Sequence, residues 1–265
     1  MKKAAVINDL SGFGKCSLSV SLPIMSAMGI EVHPLPTAVL SNQTAYDSYE
    51  CKSLTDCMLP FINEWKKLGV SFDAVLTGFA ADESQLDVIT ECVKLLKDKN
   101  TIVVVDPVMA DNGKLYDNYN ENMCDKVKKL AHYADVVTPN IAELAYLADE
   151  PYSENLDDIK SCINILYKKG IKKIVVTGLA DRNKISNIVF DDGDLSIVSA
   201  NIHGDYFSGT GDILASIVTA GLLKNMKLSD AVSLAADFIE KAILATESNN
   251  GNDGVAFEKV LGDLI

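Results

Sequence analysis

The sequence is poor in basic residues, in histidine and in tryptophan, and it lacks any long apolar run. Lysine and arginine number 24 against 37 aspartates and glutamates, for a formal net charge of −13. That balance argues against a nucleic-acid backbone or an anionic membrane as the main partner. It leaves phosphate ligands open, because backbone N–H groups bind phosphate without net positive charge. No stretch approaches the ~20 apolar residues that a membrane span needs. Only four apolar residues lie between the two N-terminal lysines and Asn8-Asp9, too few for a signal-peptide core, so the cytoplasm is the expected compartment.

The six cysteines (Cys16, Cys51, Cys57, Cys92, Cys124, Cys162) are scattered and form no C-x-x-C pair. Without an export signal they read as small, partly buried thiols rather than a disulfide framework. The three histidines, His33, His132 and His203, have no ligand-like spacing, which argues against a zinc site. Lys15 follows Gly12 and Gly14, but the G-x-x-x-x-G-K-[ST] phosphate loop is missing. Neither a repeat nor a low-complexity linker interrupts the chain, so residues 1–265 are expected to form one domain.

What is present is an alternation of short apolar runs and amphipathic stretches. Residues 4–7, 74–76, 102–105, 136–137 and 174–176 are continuous β-rich runs, as expected for strands buried on both faces of a parallel sheet. Between them, residues 54–68, 85–96, 123–130 and 159–167 carry apolar side chains near a 3.6-residue repeat and read as helices. The pattern predicts a doubly wound α/β sheet. Residues 185–190 and 195–198, split by Asp-Asp-Gly-Asp, read as a β-hairpin, so one edge of the sheet is predicted to be antiparallel. The chain beyond Gly209 reads as mostly helical, and residues 110–122 as a polar loop.

Ligands of open α/β sheets collect at the carboxyl ends of the strands. Five such ends carry polar or glycine residues: Asn8 to Lys15, Thr77-Gly78-Phe79, Asp106 to Asp111, Thr138 to Glu143, and Thr177-Gly178. The sharpest segment is Ser208-Gly209-Thr210-Gly211-Asp212, just before a predicted helix. Its glycines allow close backbone approach, and the free N–H groups of a helix start attract anions. An acid there suits removal of a proton from a hydroxyl that attacks a phosphoryl group. The same residues also fit an aspartate in a helix start with glycines for turn geometry. Asn140 and Glu143 have capping-box spacing, and Glu143 could equally stand near a magnesium ion through water. Asp106 and Asp111 could hold a cation or a substrate hydroxyl, or be ordinary loop acids.

Together these residues resemble the vitamin-kinase branch of the ribokinase-like superfamily, most of all the pyridoxal kinases. Gly209-Thr210-Gly211-Asp212 is similar to the superfamily's GTGD element, and Thr138-Pro139-Asn140 with Glu143 to its TPN-x-x-E element. Asp106-Pro107-Val108-Met109 followed by Asp111, Gly113 and Tyr116 resembles the D-P-V-M-x-D…G…Y stretch. Ser41-Asn42-Gln43-Thr44 resembles the S-N-x-T substrate loop, and Thr77-Gly78-Phe79 the T-G-aromatic loop. The resemblance runs along nearly the whole chain. It implies a three-layer sandwich with a mostly parallel central sheet flanked by helices and no separate lid domain.

The resemblance also implies roles. Asp212 would take the proton of the 5′-hydroxymethyl group of a B6 vitamer in vitamin salvage. The N–H groups of Gly209, Thr210 and Gly211 would stabilise the transferring γ-phosphoryl group of ATP. Asp106 and Glu143 would organise Mg²⁺. Asp111, Thr138, Asn140, Thr177 and Thr210 would lie along the ATP site, with Tyr116 on a loop closing over the nucleotide. Asp9, Ser11, Thr44 and Phe79 would line the pyridine pocket beside Asp212. Departures fall mainly in that pocket: Asn8 to Gly14 differs from the Ser- and His-bearing segment of better-known members, and Phe79 stands where many have Tyr. The nucleotide loop also lacks the Val-Pro that often follows its Tyr.

The nearest rival is a hydroxymethylpyrimidine (phosphate) kinase of thiamine salvage. That branch usually carries Cys where this chain has Asp212. A non-catalytic vitamin- or nucleotide-binding regulator would be expected to have lost the base or the glycines, all of which are present. The resemblance also implies a homodimer. Dependence on a monovalent cation such as K⁺, and the choice among pyridoxal, pyridoxine and pyridoxamine, stay open.

Overall fold

A computed structural model describes residues 1–116, 119–204, 206–248 and 250–265. In chain order the elements are β1 (Lys3–Ser11), α1 (Ser17–Ala27), β2 (Glu31–Leu40), β3 (Cys51–Ser53), α2 (Thr55–Lys67), β4 (Ala74–Thr77), α3 (Glu83–Leu96) and β5 (Ile102–Val105). They continue with β6 (Ala110–Asp111), β7 (Lys114–Leu115), α4 (Glu121–Ala131), β8 (Val136–Val137), α5 (Ile141–Ala148) and α6 (Leu156–Lys168). The chain closes with β9 (Lys173–Asp181), β10 (Lys184–Asp191), β11 (Asp194–Asn201), α7 (Thr210–Leu223), α8 (Leu228–Leu244) and three short 3-10 turns.

Nine strands form one sheet in the order β11-β10-β9-β8-β5-β4-β1-β2-β3. The strands from β9 to β2 run parallel, and β10, β11 and β3 run antiparallel to their neighbours. Alternate residues of the central strands feed two cores. Ala5, Ile7, Val75, Val103, Val105 and Val137 pack under α2 to α6, while Ala4, Val6, Ala74, Leu76, Val104 and Val136 pack under α1, α7 and α8. Burial on both faces is why these strands read as unbroken apolar runs. The result is three layers, with helices on each side of the sheet.

Two expectations change. Both edges of the sheet are antiparallel, not one, because β3 pairs with Ala38–Leu40 of β2 beyond the predicted parallel set. The sequence hides β2 because Pro34 and Pro36 interrupt it. Both prolines lie where β3 does not reach, on the open side of the strand, where a missing N–H is tolerated. The expected loop at 110–122 contains the β6–β7 hairpin and the start of α4. Asn112 (φ 48°) and Gly113 (φ 78°) take the two left-handed positions of its tight turn, for which Asn-Gly is the favoured pair. Residues 117 and 118 of that stretch lie outside the described residues.

The chain leaves β1 to β2 on one side and later returns to β4 on the other. The gap between the carboxyl ends of β1 and β4 is therefore a topological switch point, where α/β sheets open a ligand crevice.

Candidate active site

A cleft of about 990 Å³ opens at this rim. It gathers every residue to which the resemblance assigns a role. Asp9, Ser11, Thr44, Phe79, Asp106, Glu143 and Gly209 to Asp212 line it. Asp111, Tyr116, Thr138, Asn140 and Thr177 also line it. Lys15 is not among them: its ammonium pairs with Glu258 at 2.7 Å and stands 5.7 Å from the centre of the Phe257 ring. The histidines are also elsewhere. His33 packs against Phe72 and Trp65, His132 Nδ1 lies 2.6 Å from the Lys128 carbonyl oxygen, and His203 meets Glu240. All six cysteines are free thiols.

Part of the cleft is built on the start of α7. Gly209 caps the helix at φ 80° and contributes no side-chain bond to the end N–H groups. A Cβ on Gly209 would lie 2.0 Å from the Lys15 carbonyl oxygen, so the fold itself requires glycine there. Gly211 differs: a Cβ on it would meet nothing within 4 Å. The protein's own packing leaves that space open on the cleft side, where a helix would otherwise favour alanine.

Asp212 follows in the first turn of α7. Its Oδ1 accepts a hydrogen bond from Asn8 Nδ2 at 3.1 Å. Burial pushes its acid constant up to about 6, with the Asp9 charge adding to the rise and the Ser17 and Asn8 donors opposing it. Asp212 is therefore mostly ionised at neutral pH yet basic enough to take a proton.

Two further carboxylates face this point. Burial, and then the Asp212 charge, raise the acid constant of Asp106, against a 2.9 Å donation from Thr138 Oγ1 to its Oδ1. Glu143 is raised well above the ordinary range, first by burial and then by Asp106. Its Oε2 accepts from the Asn140 N–H at 2.8 Å and its Oε1 from the Met109 N–H at 3.1 Å. Asn140 Oδ1 in turn accepts from the Glu143 N–H at 2.9 Å, completing a capping box. The capping reading of Glu143 is seen directly, and the same side chain lines the cleft. Among the described residues no group of three or more His, Cys, Asp or Glu is arranged as a metal cage.

At the carboxyl end of β1 Asp9 is buried and accepts from Ser11 Oγ at 2.9 Å. Desolvation raises its acid constant, and the Ser17 and Ser11 hydroxyls oppose the rise. Asn140 Nδ2 donates to the Ala110 carbonyl at 2.7 Å, so its amide is committed to the cap and the β6–β7 hairpin. Tyr116 is 39% exposed and meets Tyr119 edge-on with ring centres 6.4 Å apart.

The sequence reading gave no individual role to Asn8, Cys16, Ser17 or Gln43, which all line the cleft. Asn8 and Ser17 had a usable signal in their places just after a strand run and just before a helix. The role of Gln43 is visible only in three dimensions, where its Nε2 donates to the carbonyl of Asn252 at 3.1 Å.

A family model described as phosphomethylpyrimidine kinase matches residues 25–256. The chain belongs to this family. Family membership is supported by a relative named pyridoxal kinase in Dictyostelium discoideum, 32% identical over 209 residues, which are 72% of this chain and 68% of that protein. A solved structure of a candidate phosphomethylpyrimidine kinase from Bacteroides thetaiotaomicron, in a crystal form with pyridoxal, is 37% identical. It superimposes with a TM-score of 0.94 over 99% of this chain and 95% of that one. Pyridoxal kinase from Lactobacillus plantarum is 26% identical with a TM-score of 0.91 over 100% of this chain and 96% of that one. This family member is a kinase with the ribokinase-like architecture that its motifs imply.

Proposed function

We propose that the protein transfers the γ-phosphoryl group of ATP to the 5′-hydroxymethyl group of pyridoxal, pyridoxine or pyridoxamine, and that residues 1–265 act as one catalytic unit. The observation that carries this reading is Asp212: a cleft-lining carboxylate held by Asn8, at a helix start with no side-chain cap and beside a glycine whose side-chain space is left open. The vitamer assignment is supported by the pyridoxal-bearing relative that covers nearly the whole chain.

Each part of the transfer has a residue suited to it. Asp212 accepts the hydroxyl proton as that oxygen attacks phosphorus and the bond to the leaving ADP oxygen breaks. The N–H groups from Gly209 to Gly211 point at the place where charge builds on the phosphoryl oxygens, and such preorganised donors stabilise the transition state. Asp9 and Ser11 bind the ring's polar edge, Thr44 and Phe79 flank it, and Asp111, Tyr116, Thr138, Asn140 and Thr177 line the nucleotide. The Tyr116 hairpin excludes water, which competes as acceptor.

The donor set fits Mg²⁺, which takes one or two carboxylates and keeps waters and phosphate oxygens as its other ligands. Asp106 has Oδ2 without a protein partner among the described residues and would bind the ion or its water. Glu143, with both oxygens engaged by backbone N–H groups, would act through water. When bound, the ion supplies positive charge that offsets phosphate charge.

A second reading, phosphorylation of hydroxymethylpyrimidine or its phosphate, is favoured by the family model's description and would use the same cleft, with Asp212 where that branch usually carries Cys. The test is an ATP-dependent assay of purified protein on pyridoxal, pyridoxine, pyridoxamine and hydroxymethylpyrimidine side by side. B6-vitamer turnover is expected. Turnover of the pyrimidine alone moves the protein to the second reading, and ligand binding without turnover of any contradicts a kinase.

A further inference from the structure

Asn8 stands at the carboxyl end of β1, at the switch point, and is buried. Its side chain is held at both ends. Oδ1 accepts from the Phe79 N–H at 2.8 Å and from the Asp9 N–H at 3.0 Å. Two backbone donors on one atom fix the orientation of the amide, because its NH₂ end cannot face an N–H. The NH₂ group is thereby turned towards Asp212 and donates to Oδ1 at 3.1 Å. Gly78 makes room for this arrangement: a Cβ there would come 2.6 Å from Asn8 Nδ2 and 2.7 Å from its Oδ1. Two strand ends, β1 and β4, therefore combine to aim one donor at one carboxylate.

We infer that Asn8 is a positioning residue, holding Asp212 by Oδ1 so that its other oxygen faces the acceptor hydroxyl. The inference rests on Asp212 being the base. A free aspartate rotates about two bonds. One held by a fixed side-chain amide keeps the alignment that proton removal needs, and small misplacements at such sites cost about 10²-fold in rate.

The test is a double-substitution cycle on the whole chain, reading kcat and KM for pyridoxal and for ATP. Asn8→Asp keeps an acceptor for Phe79 and Asp9 but replaces the donor with an oxygen facing Asp212. It is expected to lower kcat about 100-fold with both KM values within about threefold. Asn8→Ser, whose hydroxyl is too short to reach Asp212, is the second variant, with the same kcat-only loss. In an Asp212→Asn background, Asn8→Asp should cost less than about threefold, because the partner it acts on is gone. Wild-type-like kcat in both Asn8 variants, or an equal loss from Asn8→Asp in both backgrounds, overturns the positioning role. Retention of kcat by Asp212→Asn alone overturns the base assignment instead. That outcome is read without touching residue 8, and it takes the positioning role down with it.

Discussion

Asp149 on the outer surface and Asp106 in the cleft both sit at the end of a secondary-structure element, yet their surroundings drive them in opposite directions. Asp149 accepts from Lys128 and Lys169, and these cations hold its carboxyl below the usual range. Asp73 with Lys2 and Glu247 with Lys259 repeat the pattern. Asp106 is desolvated, faces Asp212 and takes one hydroxyl donor, so it is pushed up. Glu143, Asp212 and Asp9 share that fate. The surface pairs its acids, whereas the cleft crowds them against one another. Crowding like charges costs stability, and it makes sense where a cation and a proton are to be handled.

The sharpest way to break this contrast is to remove one cleft charge. Asp106→Asn should lower kcat/KM about 100-fold or more while raising the melting temperature of the ligand-free protein. It should also shrink the added stability that Mg²⁺ gives together with ATP. A melting temperature below that of the wild type would contradict the like-charge picture.

The two glycines of the α7 start separate fold from function. Gly209→Ala should lose ~2 kcal/mol or more of stability, because its left-handed backbone and the Lys15 carbonyl leave no room. Gly211→Ala should leave stability unchanged or raised by up to ~1 kcal/mol, yet reduce kcat at least tenfold by filling the phosphoryl side of the cleft. Denaturant melts alongside rates distinguish the two, and full activity in Gly211→Ala would contradict the anion-hole reading.

The pH dependence sharpens the comparison further. Asp212 binds its proton more tightly folded, at about 6, than its ordinary 3.8. Between those values the native state holds more protons than the unfolded one, so stability falls as pH rises through that window. Asp106, raised to about 7, adds to the same slope, so the ligand-free protein should be more stable at pH 5.5 than at pH 7.5 by on the order of 1 kcal/mol or more, and Asp212→Asn and Asp106→Asn should each flatten the slope in part. For the same group acting as a base, kcat/KM should fall below about pH 6. The smallest effect belongs to the surface: Lys128→Met should cost ~1 kcal/mol or less and leave kcat unchanged.

Much of this was legible in the sequence. The apolar runs 102–105 and 136–137 locate two central strands, and turn residues mark the 191–194 hairpin. The TPN-x-x-E element and the Asp106–Tyr116 stretch put cleft residues on strand ends, and the GTGD element puts others at a helix start, where the fold gathers them. Less was legible where a residue's meaning depends on a distant partner. β2 was hidden by Pro34 and Pro36, whose tolerance depends on β3 stopping at Ala38. Asn8 reads as an ordinary polar residue until Phe79, 71 positions away, donates to it and Asp212, 204 positions away, accepts from it. The glycines at 209 and 211 look alike in sequence and are distinguished only by what surrounds a Cβ.

The most direct test of the central claim is Asp212→Asn, measured for pyridoxal binding and for ATP-dependent pyridoxal phosphorylation on the same preparation. The account predicts a dissociation constant within about threefold of wild type and a kcat lowered about 1,000-fold, the loss of a general base without loss of the pocket. A kcat within tenfold of wild type would contradict it.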